Sequence, residues 1–462
     1  MKRITAFLLF LTPGGLFAGI EPGVAVPSLS CEAEPQWSYA LYLPSNYDPE
    51  RAWPLILVFD PGGNGLHPVE IVEAAAERYG YIVAGSNDSR NYMSWEFQFA
   101  AAAAVWRDVA GRFSIDSKRV YTAGFSGGAR MATEVALKTG AVAGVFAVGG
   151  AFRERKAIDE PIPFVFVGGS GTRDMNHREM QEMHARLVER ELPTRHLTYE
   201  APHQWAPEKA FMAAVEWFEI QAIRRELRPR DPAHLSALYD AAIRAVRRFE
   251  ELDDPYATLA EYEQLARDFE GLVDLADARI AIERLRADPA VESAKKKHQR
   301  WIRREERERS RLATQMRKME ADAGDAARRP SDLRTLRRML DGISKDEGSS
   351  DKARSDTAAR LEAFVTTVGY EWAVIAAQNG EYERAALFYE IALQAAPESV
   401  RLRVWLAGLY VRQGRHDRAI ETLSEAIELG YSDAEQLRTD ANFEPLHEDP
   451  RFVALLAGIT KM

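Results

Sequence analysis

Residues 119–138 read Arg119-Val120-Tyr121-Thr122-Ala123-Gly124-Phe125-Ser126-Gly127-Gly128-Ala129-Arg130-Met131-Ala132-Thr133-Glu134-Val135-Ala136-Leu137-Lys138. The run 119–123 has the composition of a strand and stops at Gly124. The run 129–138 has the composition of a helix. Between them Gly124-Phe125-Ser126-Gly127-Gly128 fits Gly-x-Ser-x-Gly. A serine on so sharp a strand-to-helix turn has a strained backbone, and only small neighbours leave room for the turn. Its hydroxyl then projects above the sheet. The helix start behind it offers N–H groups and a positive dipole end to a developing oxyanion.

The same alternation extends outward on both sides. Residues 37–43, 54–59, 81–84, 142–148, 163–167 and 196–200 read as strands. Residues 70–79, 97–112, 176–190 and 207–220 read as helices. The run Pro54-Leu55-Ile56-Leu57-Val58-Phe59 is apolar throughout, as a strand buried on both faces should be. Strands alternating with helices predict an α/β class domain, a parallel sheet flanked by helices, over 33–225.

A serine hydroxyl needs a base to remove its proton. His203, in Glu200-Ala201-Pro202-His203-Gln204-Trp205, follows the last strand and is the candidate base. His196 lies inside a strand, and His177 directly follows the candidate acid, so both are weaker bases. Asp174, after Gly168-Gly169-Ser170-Gly171-Thr172-Arg173, is the candidate acid; its other reading is a helix cap for 176–190. The chain order is Ser126, Asp174, His203. The turn Asp60-Pro61-Gly62-Gly63-Asn64-Gly65 follows the strand 54–59. The N–H of Gly62 is the expected oxyanion donor there, with that of Gly127 as its partner. Tyr92, Met93, Trp95, Phe97, Phe99 and Trp205 have two readings, an aromatic acyl pocket or ordinary packing. Packing is the simpler one.

Residues 37–222 resemble the esterase branch of the α/β-hydrolases that includes polyhydroxybutyrate depolymerases, feruloyl esterases and acetylxylan esterases. The order serine, acid, histidine is theirs and not that of chymotrypsin or subtilisin. The segments that carry the resemblance are Leu41-Tyr42-Leu43-Pro44-Ser45-Asn46-Tyr47-Asp48, residues 54–63, and Ile115-Asp116-Ser117-Lys118-Arg119-Val120-Tyr121 leading into Ser126. In that family the turn opens with His-Gly, whereas here Asp60-Pro61 stands. The resemblance implies an ester substrate, polysaccharide-linked or polyester among the choices, and needs no metal or organic cofactor.

The chain has 462 residues, and its Gly and Pro thin out after about residue 225. Its hydrophobic fraction of 46% excludes wholesale disorder. Lys+Arg 60 against Asp+Glu 70 gives a formal charge of −10, which argues against nucleic acid as a partner. The single cysteine, Cys31, excludes a disulfide framework and a Cys-based zinc site. Ser28-Leu29-Ser30 fit a lipoprotein box poorly, so Cys31 is expected as a free thiol in a mobile leader. Lys2-Arg3, the apolar run 4–11 and Leu16-Phe17-Ala18 read as a signal peptide over 1–18. Export to the periplasm or the extracellular space, with no membrane-spanning segment, is the corresponding expectation.

Beyond residue 228 the pattern is helical. Ala373, Gly380, Ala385 and Ala392 recur as Ala407, Gly414, Ala419 and Ala426, each pair 34 residues apart. That is the period of a helix-turn-helix repeat, and the pattern resembles the tetratricopeptide repeat. Tyr389, Pro397, Leu406 and Tyr410 add to the match, while Tyr431 stands where the first copy has Pro397. The expected all-α part is thus a charged helical domain over 228–365 and repeats over 366–460, capped by 440–456. The mixed charges of 295–318 read as the solvated face of a long helix, and 342–355 as a loop.

Three functions compete. The first is an exported serine hydrolase cleaving a carboxylic ester, tethered to repeats that bind a protein. The second is an interaction scaffold with a catalytically impaired hydrolase domain, suggested by Asp60-Pro61. The third, a serine peptidase of the prolyl-oligopeptidase type, shares the serine turn but would bring a propeller of β repeats that the sequence does not contain.

Overall fold

The computed structural model describes residues 20–459 apart from 252–253 and 325–326. The expected leader, 1–18, lies outside the described residues. The described residues form two compact units, 20–171 with 176–291, and 172–175 with 292–459.

The first unit is built on β1 (Val26–Ser30), β2 (Ser38–Tyr42), β3 (Trp53–Phe59), α1 (Leu66–Tyr79), β4 (Ile82–Ser86), α2 (Trp95–Arg112), β5 (Ile115–Phe125), α3 (Gly127–Thr139), β6 (Gly144–Val148), β7 (Val165–Gly171), α4 (His177–Glu189), β8 (Thr194–Tyr199) and α5 (Glu208–Arg224). The eight strands make one sheet in the order β1-β2-β4-β3-β5-β6-β7-β8. β1 and β2 run antiparallel to their neighbours, and the other strands are parallel. This is the mostly parallel sheet flanked by helices expected from the sequence.

Side chains alternate across β3. Leu55, Leu57 and Phe59 enter the core under α2, α3 and α4, while Ile56 and Val58 enter the core under α1 and α5. The strand order reverses at β3, with β4 on one side and β5 on the other. In such sheets the crevice for a ligand opens at the carboxyl ends of the strands beside that reversal. Phe59 and Gly124 pair at that end, which brings the turn after β3 beside Ser126.

Three expectations change. Residues 26–30, ahead of the domain expected over 33–225, form β1, an edge strand whose polar, Pro27-containing sequence hides its pairing with β2. Cys31 is 2% exposed, and its N–H donates to Trp37 O at 2.9 Å. It is a core residue, which corrects the mobile leader. Burial, helped by Asp108, pushes its thiol up to about 11. The expected boundary near 225 falls inside this unit. Helices α6 (Pro232–Glu250), α7 (Pro255–Phe269) and α8 (Ala276–Arg286) share a core with Ile220 and Ile223 of α5. Asp268 of α7 accepts from Arg195 of β8 at 2.9 Å and from Trp217 of α5 at 2.8 Å. A buried ion pair cut in half is costly, so α7 is fixed to the sheet.

The second unit comprises most of α9 (Pro289–Ala321), then α10 (Arg329–Ser344), α11 (Lys352–Gln378), α12 (Tyr382–Ala395), α13 (Val400–Arg412), α14 (His416–Glu428), α15 (Ala434–Thr439) and α16 (Pro450–Ile459). The mixed-charge run lies on α9, where Leu312, Met316 and Met319 mark a narrow buried stripe. The six repeat alanines, Ala373, Ala385, Ala392, Ala407, Ala419 and Ala426, all have 0% exposure. They sit where paired helices touch, and a larger side chain would hold the helices apart. Gly380 and Gly414 end α11 and α13 with φ of +77° and +71°, the left-handed turn that glycine adopts without strain. Phe443, Leu446 and Phe452 bury themselves against the last repeat, as a cap requires. Among the described residues, no helix is long and apolar enough to cross a membrane.

Candidate active site

Ser126 lies between β5 and α3 with φ +54° and ψ −116°. A non-glycine residue held there stores about 1–3 kcal/mol of strain. The surrounding backbone leaves it no other course. The Ser126 N–H donates to Val148 O at 2.8 Å, and Ser126 O accepts from the Ala129 N–H at 3.1 Å. A Cβ on Gly124 would lie 2.1 Å from Gly128 O, and one on Gly128 would lie 2.0 Å from Phe59 O. Backbone fills the space where both side chains would begin, so the turn closes only with glycine.

His203 sits on the loop between β8 and α5, and its Nε2 lies 3.0 Å from Ser126 Oγ. The two residues are partly exposed. The imidazole packs on Phe125, ring centroids 4.6 Å apart, which limits its rotation. A nucleophile and a base within hydrogen-bond reach are the first requirement of serine catalysis.

The other candidate bases belong elsewhere. His177 Nδ1 and His196 Nε2 each lie 2.9 Å from Ser170 Oγ. Burial, with His184 and Arg178 beside it, pushes His196 down to about 3. Burial, with Arg267 and Arg195, pushes His184 down to about 4. Both stay neutral near pH 7.

Asp174 is fully buried on the loop after β7. The segment Thr172–Met175 that contains it clusters with the second unit.

Gly127 opens α3, behind Ser126. The turn after β3 is organised by Asp60. Its Oδ1 accepts from the N–H of Gly62 at 2.7 Å and of Asn64 at 3.3 Å. Its Oδ2 accepts from Trp205 Nε1 at 2.7 Å. The N–H of Gly62, expected to face an oxyanion, is therefore held by the carboxylate two residues before it. An aspartate whose side chain caps the N–H two residues on is an Asx turn, and Asp60-Pro61-Gly62 carries that signal in sequence. Of the nearby aromatics, Phe97 stands edge-on to Trp37 at 4.8 Å and Trp95 leans on Phe99 at 6.0 Å, so packing accounts for them.

The tetratricopeptide repeat family model matches residues 376–439. No curated protein sequence matches the chain. Among solved structures, the chain is similar to the S-formylglutathione hydrolase FrmB of Staphylococcus aureus, with 13% identity, 42% of this chain and 97% of that one covered, and a TM-score of 0.35. It is similar to an esterase of Pyrobaculum calidifontis, with 14% identity, 43% and 85% covered, and a TM-score of 0.33. It is also similar to the esterase LipW of Mycobacterium marinum, with 16% identity, 42% and 81% covered, and a TM-score of 0.33.

Proposed function

We propose that the chain is a serine hydrolase that cleaves carboxylic esters through an acyl-enzyme. The observation that carries this is the strained Ser126 with its Oγ 3.0 Å from His203 Nε2. In the reaction, Ser126 Oγ attacks the ester carbonyl while His203 takes its proton. His203 then passes the proton to the leaving alcohol. Water hydrolyses the acyl-enzyme with His203 again as base. Asp174 holds the imidazole in the tautomer that leaves Nε2 free to accept. The N–H of Gly127, at the positive end of α3, stabilises the oxyanion. Gly62 is the second donor that the sequence suggests. The repeats 366–460 dock a protein partner, and the leader 1–18 directs export.

A fluorophosphonate probe and p-nitrophenyl acetate test this reading. The wild-type chain should be labelled and should turn over. Ser126→Ala should do neither while folding as the wild type does. Full turnover by Ser126→Ala overturns the assignment. A panel of feruloyl, acetyl-xylan and hydroxybutyrate esters then identifies the acyl group.

The second reading is a protein-interaction scaffold whose hydrolase site is impaired. It is favoured by the bond that holds the Gly62 N–H on Asp60. A wild-type chain that neither reacts with the probe nor hydrolyses any ester of the panel would establish it.

A further inference from the structure

An acyl oxyanion needs two convergent donors. Within the turn after β3 every candidate is occupied. Pro61 has no N–H. The N–H groups of Gly62 and Asn64 are on Asp60 Oδ1, at 2.7 and 3.3 Å. That of Gly63 is on Asp60 O at 3.1 Å, and that of Gly65 is on Asn87 Oδ1 at 3.1 Å. Asp60 is itself fixed by the buried Trp205, so its carboxylate has no freedom to release Gly62 without leaving Trp205 Nε1 unpaired.

A different donor stands beside Gly127, on a loop bonded to that same turn. A Cβ built on Gly127 would lie 1.8 Å from Asn91 Oδ1, 2.7 Å from its Cγ and 3.0 Å from its Nδ2. The Asn91 carboxamide thus lies against the residue that supplies the first donor, one position from Ser126. Asn91 is partly exposed, and among the described residues its carboxamide has no hydrogen-bond partner. Its backbone is pinned, because the Asn91 N–H donates to Pro61 O at 2.9 Å. The next residue, Tyr92, is held at φ +66°, a conformation costly for a bulky side chain. A strained, pinned backbone that presents an uncommitted polar side chain is what a preorganised donor requires.

We propose that the Asn91 carboxamide donates the second hydrogen bond to the oxyanion, through Nδ2, beside the N–H of Gly127. The proposal rests on Ser126 being the nucleophile. A half-turn of the carboxamide exchanges Oδ1 and Nδ2 at little steric cost, so either atom can face the substrate. Asn91 transfers no proton. It supplies an N–H dipole where negative charge grows as the carbonyl carbon becomes tetrahedral. The glycine at 127 has a second purpose on this reading, since any side chain there would evict Asn91.

The test is steady-state hydrolysis of p-nitrophenyl acetate and fluorophosphonate labelling of the full-length chain as wild type, Asn91→Ala and Asn91→Asp. Loss of one oxyanion donor lowers kcat by about 10²–10³-fold. Asn91→Ala should show that loss with KM changed less than about threefold and an unchanged unfolding midpoint. Asn91→Asp keeps the shape, has no N–H to donate, and should lose at least as much. It carries the test if the alanine variant does not fold. A kcat within about threefold of wild type in either folded variant overturns the proposal and returns the second donor to the backbone. If the wild-type chain is not labelled at Ser126, the hydrolase reading falls and this inference falls with it. A labelled, active wild type with active Asn91 variants removes the inference alone.

Discussion

Trp205 Nε1 donates to Asp60 Oδ2 at 2.7 Å, so the loop that carries His203 and the turn after β3 are joined through one carboxylate. The other oxygen of that carboxylate holds the turn itself. Asp60→Ala leaves a buried indole N–H and the Gly62 N–H without their acceptor. We expect a loss of roughly 1–3 kcal/mol in urea unfolding. Asp60→Asn keeps one carbonyl acceptor and should lose less than alanine. Equal stability of all three chains would show that the tie is not formed in solution.

Ser126 gives the opposite sign. Its φ of +54° is ordinary for glycine and strained for serine. Ser126→Gly should abolish hydrolysis while raising stability by about 1 kcal/mol, the relief of strain being partly offset by the freer unfolded chain. A melting temperature below wild type would contradict this account of the turn.

Gly124 tolerates no side chain. Alanine there would place its Cβ 2.1 Å from Gly128 O, and backbone on both sides cannot yield. Gly124→Ala should cost roughly 3 kcal/mol or more and deplete soluble protein, read by chemical denaturation and expression yield. A variant of wild-type stability would mean that the strand-to-helix turn is looser than its geometry implies.

His196 and its neighbour His184 set an acid limit. The folded values of His196 and His184 are lowered to about 3 and about 4, against 6.5 for the free side chain. Above pH 6.5 neither group affects stability. As pH falls below 6.5 the unfolded chain binds protons that the native chain refuses, so stability declines, by roughly 1 kcal/mol per pH unit for each group. Thermal melts at pH 7, 6 and 5 should show this slope. His184→Gln with His196→Gln should flatten it, and an unchanged slope would assign the acid sensitivity elsewhere.

In the repeats, two substitutions separate packing from backbone strain. Ala407→Leu forces volume into a contact that has none free and should cost about 1–3 kcal/mol. Gly414→Ala meets nothing within 4 Å, so its cost comes only from φ +71° and should be about 1 kcal/mol. Gly414→Asn should recover part of that. Urea midpoints of the three variants make the comparison.

The serine turn, its histidine and the alternation of strands were legible because each is a local pattern. Small residues flank Ser126, and His203 follows the last apolar strand. The paired alanines of the repeats were legible for the same reason, one period being copied. What escaped was tertiary. Nothing near Asp268 in sequence announces Arg195, 73 residues away, so the attachment of α7 to the sheet could not be read. β1 escaped because a polar edge strand has no buried face to give it alternation. Asp60 looked like a departure from a family pattern, and its two acceptor roles emerge only with Trp205 in place.

The bond from the Ser126 N–H to Val148 O has a kinetic consequence. It lies at the carboxyl end of the sheet, one residue beyond β5 and on the last residue of β6, and so ties the serine turn to the neighbouring strand. The amides of the nucleophile and of Asn91 should therefore exchange with deuterium more slowly than loop amides that have no such acceptor. The hydroxyl and the carboxamide are thus each carried by a backbone amide held on another element of the same unit.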